Sequence, residues 1–396
     1  MKKKISIIGG GAAAIATAAF LDHQKFEVSI FEKNKALGRK FLVAGKGGFN
    51  LTHAEHINLL LERYTPSAFL KEHLLQFSNE DLRNWLETIG IPTYVGSSKR
   101  VYPQKGIKPI EVLQAIQAVL SQKDVNIIYN KTWTGWDKDK HLIFNENEVV
   151  ASDYVVFALG GGSWKVTGSD GIWLSLFKKR GIKVASFEPS NCAYQIKWKA
   201  DFIQKYAGTP LKNISISCLN KEQKGEVVIT SFGLEGNAIY ALSPELRTTL
   251  NKQQKAIIYI DFKPSLSLKD VLTKLNKSKV NNITKCLKSD LKLSNAQIAL
   301  LKIHLTKEEF LNNETLAEKI KGLQLEVSDI AELDEAISTV GGICLSKIDS
   351  HFEFKGLKNS FCIGEMLDWD APTGGYLLQA CFSMGFSLSA HLNKKG

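Results

Sequence analysis

Three consecutive glycines near the start of the chain have the spacing of a phosphate-binding turn. Gly9 to Gly11 follow an apolar segment, residues 4–8, in the pattern G-x-G-x-x-A, with Ala14 in the last position. Gly9 permits a tight turn, and Gly11 lets the backbone approach a pyrophosphate that faces a helix N-terminus. Glu32 closes a second apolar segment at the distance from which a carboxylate accepts a ribose hydroxyl. The spacing therefore predicts a dinucleotide site in a βαβ unit.

A second glycine-rich stretch is basic. Gly38, Arg39 and Lys40 precede residues 44–50, which hold three more glycines and end at Asn50. The stretch has too much glycine for a helix or strand and too much charge for a core. We interpret it as a loop lying against phosphate and ribityl groups, with a plain surface loop as the alternative.

Near the C-terminus, another glycine pair precedes an apolar helix. A predicted strand at 360–363 leads to Gly364 and Glu365, and residues 370–376 contain Gly374 and Gly375 at the helix start. Free N–H groups at a helix start can face an anion or an electron-rich ring edge. An ordinary helix cap is the alternative interpretation.

The separation of these motifs favours FAD over NAD as the bound dinucleotide. FAD is long, so its adenosine end uses the first βαβ unit while its flavin end needs residues returning from the C-terminus. A second G-x-G-x-x-G is absent from the sequence, because the turn at Gly160 is followed by Trp164 and Lys165. NAD(P)H would therefore have to bind transiently as the electron donor, and a different donor is the alternative.

Composition is that of an ordinary globular protein, and we separately expect a small-molecule substrate as its partner. Of its 396 residues, 44% are hydrophobic and 23% charged, and the net charge is +11. Nearly all of the positive charge is lysine, which disfavours nucleic acid as a partner because arginine makes the bidentate phosphate and base contacts. The six scattered cysteines have no metal-ligand spacing, so we expect reduced thiols, no metal and a cytoplasmic location.

No membrane span is expected, since no apolar stretch approaches about 18 residues. The three lysines at positions 2–4 before apolar residues resemble a secretory signal, but the three glycines would break the helix that a signal needs.

Local signals predict several elements. They include a helix with Ser78 as its cap and Gly90 at its end, a hairpin at 93–103, and a helix starting at Pro109. From about residue 190 the pattern changes to short strands, and from about 264 to lysine-rich amphipathic helices. We expect an α/β fold with an insertion.

Six blocks in the same order resemble the BaiN/YhiN-like bacterial flavoproteins, which are NAD(P)/FAD-dependent oxidoreductases. The blocks are 9–13, 38–40, 44–53, 160–163 with 167–171, 232–236, and 364–368 with 373–376. The resemblance implies a Rossmann-like FAD/NAD(P)-binding domain in two segments, 1–189 and 335–396. Between them it implies an inserted domain, 190–334, β-barrel-like over about 190–263 and helical over about 264–330.

The resemblance also implies a set of residues along FAD, among which Trp133 matches the position whose backbone meets the adenine. The set is Gly9, Gly11, Ala12, Ala13, Glu32, Lys33, Gly38, Arg39, Lys40, Asn50, Thr52, Trp133, Ala158, Gly160, Gly161, Gly364, Glu365, Thr373, Gly374, Gly375 and Tyr376.

This sequence departs from the commoner family pattern at two places. Residues 45–50 read Gly-Lys-Gly-Gly-Phe-Asn instead of Gly-Gly-Gly-Arg-Cys-Asn, and residues 374–379 read Gly-Gly-Tyr-Leu-Leu-Gln instead of Gly-Gly-Tyr-Asn-Leu-Gln. The arginine and the cysteine of that pattern, which lie beside the flavin in other members, are therefore absent from these positions here.

The sequence assigns no catalytic acid or base; Tyr376 and His53 are candidate proton donors. The leading expectation is an oxidoreductase that reduces a conjugated C=C bond. The alternatives are a flavin-dependent RNA-modifying enzyme and a non-catalytic flavin-holding sensor or scaffold.

Overall fold

The fold is described from a computed structural model over residues 1–43, 48–278, 280 and 282–396. Residues 44–47, part of the predicted basic loop, lie outside the described residues. The chain forms two compact units. The first unit comprises Met1–Pro189 and Leu333–Gly396, and the second comprises Ser190–Glu332.

The elements follow in chain order. The N-terminal segment of the first unit contains β1 (Lys3–Ile8), α1 (Ala12–Phe20), β2 (Phe26–Phe31), α2 (Arg39–Val43), β3 (Thr52–His53), α3 (Ile57–Leu61), α4 (Ser67–Gln76), α5 (Asn79–Thr88), β4 (Thr93–Val95), β5 (Arg100–Pro103), α6 (Pro109–Gln122), β6 (Asn126–Ile128), β7 (Trp133–Trp136), β8 (Leu142–Phe144), β9 (Glu148–Val150), β10 (Tyr154–Phe157), α7 (Leu174–Lys179) and β11 (Val184–Ser190). The second unit contains β12 (Tyr194–Gln195), α8 (Ala200–Tyr206), β13 (Pro210–Cys218), β14 (Lys221–Ile229), β15 (Gly233–Glu235), α9 (Asn237–Tyr240), α10 (Ser243–Gln253), β16 (Ala256–Asp261), α11 (Leu268–Lys277), α12 (Ile283–Ser289), α13 (Asn295–His304), α14 (Lys307–Leu311), α15 (Asn313–Lys321), β17 (Leu323–Val327) and β18 (Asp329–Ile330). The C-terminal segment adds β19 (Ser338–Ile343), β20 (Ser360–Cys362) and α16 (Tyr376–Lys395).

A five-stranded parallel sheet is the centre of the first unit. Its order is β20-β10-β1-β2-β6, and β1 pairs in parallel with both β10 and β2. Ile5, Ile7 and Ile8 of β1 are buried, as expected for a strand covered on both faces. Because β20 comes from the C-terminal segment, the turn after β1 and the turn after β20 lie at the same sheet edge.

The long helix α16 packs closely on α1. A Cβ added at Gly385 would lie 2.8 Å from both the Ala16 Cβ and the Thr17 backbone nitrogen. The small residues of α1 and this glycine therefore permit the close approach, which buries α16 in the first unit.

Three local predictions are confirmed. Ser78 caps α5 in a capping box with Asp81, β4 and β5 form the predicted hairpin, and Pro109 begins α6. Each signal acts over a few residues, so tertiary contacts do not override it.

The second unit contains one seven-stranded sheet in the order β17-β16-β13-β14-β15-β12-β18. The helical segment expected to reach about 330 ends at Lys321, because residues 323–327 return to the sheet and pair with β16. Their alternating burial, in which every second side chain faces the core, marks a strand. Among the described residues, no helix combines the length and apolar character that crossing a membrane requires.

Candidate functional site

A cavity of about 380 Å³ opens where the parallel strands of the first unit end. Eighteen of the residues predicted along the cofactor line it, and they come from both segments of the unit. They are Gly9, Gly11, Ala12, Ala13, Glu32, Lys33, Gly38, Arg39, Lys40, Asn50, Trp133, Ala158, Gly160, Gly364, Glu365, Thr373, Gly374 and Gly375.

The first glycine turn presents bare backbone to this cavity. Gly9 has φ +101°, and a Cβ there would overlap the carbonyl oxygen of Ala158 on the neighbouring strand. Gly11 has an ordinary φ of −83°, yet a Cβ there would meet no atom within 4 Å. Gly11 caps α1 without a side-chain hydrogen bond, so space for a ligand lies directly at the helix start.

Glu32 is fixed at the end of β2 by three hydrogen bonds. Its Oε2 accepts from the Gly10 backbone N–H at 2.7 Å, and its Oε1 accepts from the backbone and side-chain nitrogens of Asn34, each at 2.7 Å. The carboxylate is 8% exposed and lines the cavity. A carboxylate oxygen has lone pairs beyond these bonds, so Glu32 can still accept from a hydroxyl.

Two lysines at the cavity are paired with acids distant in sequence. Lys33 Nζ lies 2.7 Å from Asp170, and Lys40 Nζ lies 2.9 Å from Glu365 and 2.9 Å from the hydroxyl of Ser163. Sequence reasoning missed Asp170 and Ser163 as partners, because the pairing depends on how the two segments fold together.

Arg39 also lines the cavity and is held in place. It donates to the Asn34 side-chain oxygen and to the Val166 carbonyl, both at 2.8 Å. The loop at 164–172 is thereby attached to the end of β2.

Trp133 begins β7 and carries a buried polar atom without a partner. Its side chain is 6% exposed, and its indole Nε1 has no hydrogen-bond partner among the described residues. Buried N–H groups normally have an acceptor, so this donor is available to a ligand in the cavity that Trp133 lines.

Three predicted residues do not line the cavity. Thr52 is fully buried and donates its hydroxyl to Gln379 Oε1 at 2.7 Å. A Cβ at Gly161 would overlap the Thr339 hydroxyl, so this glycine is packed inside the protein. Tyr376 is buried, and its hydroxyl donates to an acidic residue that does not line the cavity either.

That acidic residue is Glu55, the centre of a cluster that sequence reasoning missed. Tyr376 donates its hydroxyl to Glu55 Oε1 at 2.6 Å, and Arg63 donates to both carboxylate oxygens at 3.1 and 3.0 Å. The His53 ring stacks on the Tyr376 ring with centroids 5.0 Å apart. No local pattern signals this cluster, because Glu55 and Tyr376 are 321 residues apart.

The cluster has a defined charge state. Burial alone would raise the pKa of Glu55, but hydrogen bonds from Arg63 and Tyr376 keep that pKa below its ordinary value. Burial lowers the pKa of His53, so its ring is neutral near pH 7. Burial and Glu55 raise the pKa of Tyr376, which keeps its hydroxyl protonated.

Comparison with known proteins adds a family and several relatives. The family model described as "HI0933-like protein Rossmann domain" matches residues 3–391. The chain is 24% identical over 411 residues to the 3-dehydro-bile acid delta(4,6)-reductase of Clostridium scindens, covering 97% of each chain. It is 20% identical over 403 residues to the ribosomal RNA dihydrouridine synthase of Haemophilus influenzae, covering 98% of each.

Solved structures share the fold. The match to a flavocytochrome c3 fumarate reductase covers 99% of this chain and 78% of the reductase chain, with a TM-score of 0.51 and 12% sequence identity. The match to the 3-ketosteroid-delta4-(5alpha)-dehydrogenase of Rhodococcus jostii RHA1 covers 100% of this chain and 97% of the dehydrogenase chain, also with a TM-score of 0.51 and 12% sequence identity.

Proposed function

Because the chain belongs to the family of HI0933-like proteins with a Rossmann domain, we propose that it is an FAD-dependent oxidoreductase that reduces a conjugated C=C bond. One observation carries the proposal: a single cavity is lined both by the glycine turn after β1 and by the turn before α16. A dinucleotide as long as FAD needs both of these turns to bind its two ends. The relative named as a reductase supports the direction of the reaction.

The residues present fit FAD. Gly11 leaves open space at the start of α1, and Trp133 offers an unpaired indole N–H. In this proposal Gly9 and Gly11 hold the pyrophosphate, and Glu32 accepts from the ribose. The backbone at Gly375, at the start of α16, would hold the flavin end of the cofactor.

Bound FAD would supply hydride transfer, while the chain's own residues bind and orient it. Lys40 is held by Glu365, so its charge is fixed at the cavity wall. NADPH or NADH is proposed as a transient donor.

The test is spectroscopic. We expect the purified protein to be yellow, to release FAD identified by mass, and to bleach within seconds when NADPH or NADH is added without oxygen. Gly11→Leu should fold but be colourless, because the new side chain would fill the cavity. Gly322→Leu is the control, since Gly322 lies in the second unit and has nearby only a backbone oxygen at 3.8 Å.

A colourless wild-type protein that FAD does not reconstitute would contradict the proposal. A protein that keeps FAD but stays yellow with both nucleotides would instead support the non-catalytic alternative.

A second candidate, RNA modification, is favoured by the relative named as a ribosomal RNA dihydrouridine synthase. It is tested by incubating the FAD-loaded protein and NADPH with ribosomal RNA and measuring dihydrouridine by mass spectrometry. Dihydrouridine formed by wild type and not by Gly11→Leu would make RNA the substrate.

A further inference from the structure

Arg100 has a charge that no described residue neutralises. Arg39, Arg63 and Arg83 each donate hydrogen bonds from their side chains, and Arg180 lies over the Trp136 ring. In the described part of the chain, Arg100 has no carboxylate within 4.0 Å and no side-chain hydrogen bond. A guanidinium has five donors, so such a group is prepared for an external acceptor.

Arg100 lies beside the cavity end at which α16 begins. It pairs directly with His53 across β5 and β3, which places the two side chains on one face of that small sheet. A Cβ added at Gly374, which lines the cavity, would lie 3.5 Å from Arg100 Nε. The side chain is partly buried against this turn.

Among the described residues, the groups next to Arg100 leave its positive charge uncompensated. The Nδ1 atom of His53 accepts from the Glu55 backbone N–H at 3.3 Å, so it is already engaged. The Glu55 carboxylate is already matched by Arg63 and Tyr376. The stacked rings of His53 and Tyr376 are both largely buried, so they support this part of the small sheet and carry no charge that would offset the cation.

We propose that Arg100 binds the carboxylate of an unsaturated organic acid, whose C=C bond would gain a hydride from NADPH or NADH by way of FAD and a proton from solvent at this end of the cavity. The inference rests on the proposed function. A planar guanidinium binds a carboxylate through two parallel hydrogen bonds, and this fork selects a charged acid over its neutral ester. His53, the register partner of Arg100, is a positioning residue that packs beside the guanidinium stem.

The experiment is a spectral titration of the FAD-loaded protein with trans-cinnamate, compared with methyl cinnamate, which has the same skeleton without the charge. We expect cinnamate to perturb the visible flavin spectrum and the ester to do so more weakly. In Arg100→Gln, the dissociation constant for cinnamate should rise about 10- to 100-fold, since charged hydrogen bonds are lost. Arg83→Gln, which removes an arginine paired with Glu80 and Thr93, is the control and should bind like wild type.

Equal binding of cinnamate and methyl cinnamate would overturn the inference. A spectral shift on adding cinnamate that is the same in wild type and in Arg100→Gln, or no shift in wild type, would also overturn it. A fall in FAD content in Arg100→Gln without a change in acid selectivity would also overturn it, because the guanidinium would then bind the flavin. FAD content and bleaching by NADPH are measured on the same samples. A wild-type protein without FAD contradicts the proposed function, whereas a yellow, bleachable protein without acid binding contradicts only this inference.

Discussion

The hydroxyl of Tyr376 lies 2.6 Å from Glu55 Oε1, and neither residue lines the cavity. The sequence made this tyrosine a candidate proton donor, because it follows the glycine pair. Its geometry favours a structural role, since the proton is held by a buried carboxylate and the pKa of the hydroxyl is raised. A second bond, from the Tyr64 hydroxyl to the Tyr376 carbonyl at 2.9 Å, ties down the first turn of α16.

We therefore predict that Tyr376→Phe destabilises the protein without removing its activity. Loss of a buried hydrogen bond to a charged group should lower the free energy of unfolding by about 1–3 kcal/mol. The rate at which NADPH bleaches the bound flavin should stay within about twofold of the wild-type rate. Urea unfolding and anaerobic stopped-flow spectroscopy measure the two quantities.

Tyr94→Phe is the control for this variant, because Tyr94 is 44% exposed. Its stability should stay within about 0.5 kcal/mol of wild type, as is usual for surface substitutions. A loss of flavin reduction in Tyr376→Phe, with stability unchanged, would restore the proton-donor role.

At the scale of elements, α4 packs on α16 through a buried histidine. His73 Nδ1 lies 2.9 Å from the Ser387 hydroxyl, and the His73 ring packs on Phe352 with centroids 4.3 Å apart. Burial, with a smaller contribution from His351, lowers the pKa of His73 from 6.5 to about 4. The helix contact is therefore built around a neutral imidazole.

This contact predicts a loss of stability in mild acid. In the unfolded chain His73 takes up a proton below pH 6.5, whereas in the folded protein it does so only below about 4. Stability from this group is thus complete above pH 6.5 and falls as the pH drops toward 4, by about 3 kcal/mol in total. Urea unfolding at pH 7, 6, 5 and 4 measures how the free energy of unfolding changes with pH. In His73→Phe the loss of this free energy between pH 6.5 and 4 should be smaller by about 3 kcal/mol.

His23→Phe is the matched control, since His23 is half-exposed near the end of α1 and contacts the Gln24 side chain. Its pH slope should equal that of wild type. An unchanged slope in His73→Phe would mean that other buried groups cause the acid sensitivity.

Elements with local signals were predictable, and contacts between distant elements were not. Ser78 and Pro109 mark helix starts through nearby backbone groups, so their helices were expected correctly. Lys40 meets Glu365, and Glu55 meets Tyr376, across more than 300 residues. Nothing in the local sequence encodes such pairs, because they depend on the final packing.

At the scale of the whole molecule, the candidate site joins the two ends of the chain. The cavity is lined by residues from Ile8 to Leu378, with none from the second unit among the described lining residues. A ligand that spans it contacts the turn after β1 and the turn before α16 together. Its binding energy is then added to the stability of the first unit.

We predict that removing FAD lowers the melting temperature of the protein. Restoring that melting temperature should require the adenosine half of FAD. At 100 times its dissociation constant, FAD should stabilise the folded protein by about 2.7 kcal/mol. For a unit of this size the gain corresponds to a shift of about 5–10 °C. FMN lacks the AMP half of FAD, whose phosphate Gly11 and whose ribose Glu32 are proposed to hold, so at the same concentration it should shift the melting temperature by less than half as much.

Thermal unfolding of the apoprotein with FAD, with FMN and with neither measures these shifts. Glu32→Gln, which keeps the size of the side chain but loses the charge, should reduce the FAD shift and leave the smaller FMN shift unchanged. Equal shifts with FAD and FMN would mean that the glycine turn after β1 contributes no binding energy. The ligand would then occupy the α16 end alone, and a single long dinucleotide would no longer explain why the cavity reaches both turns.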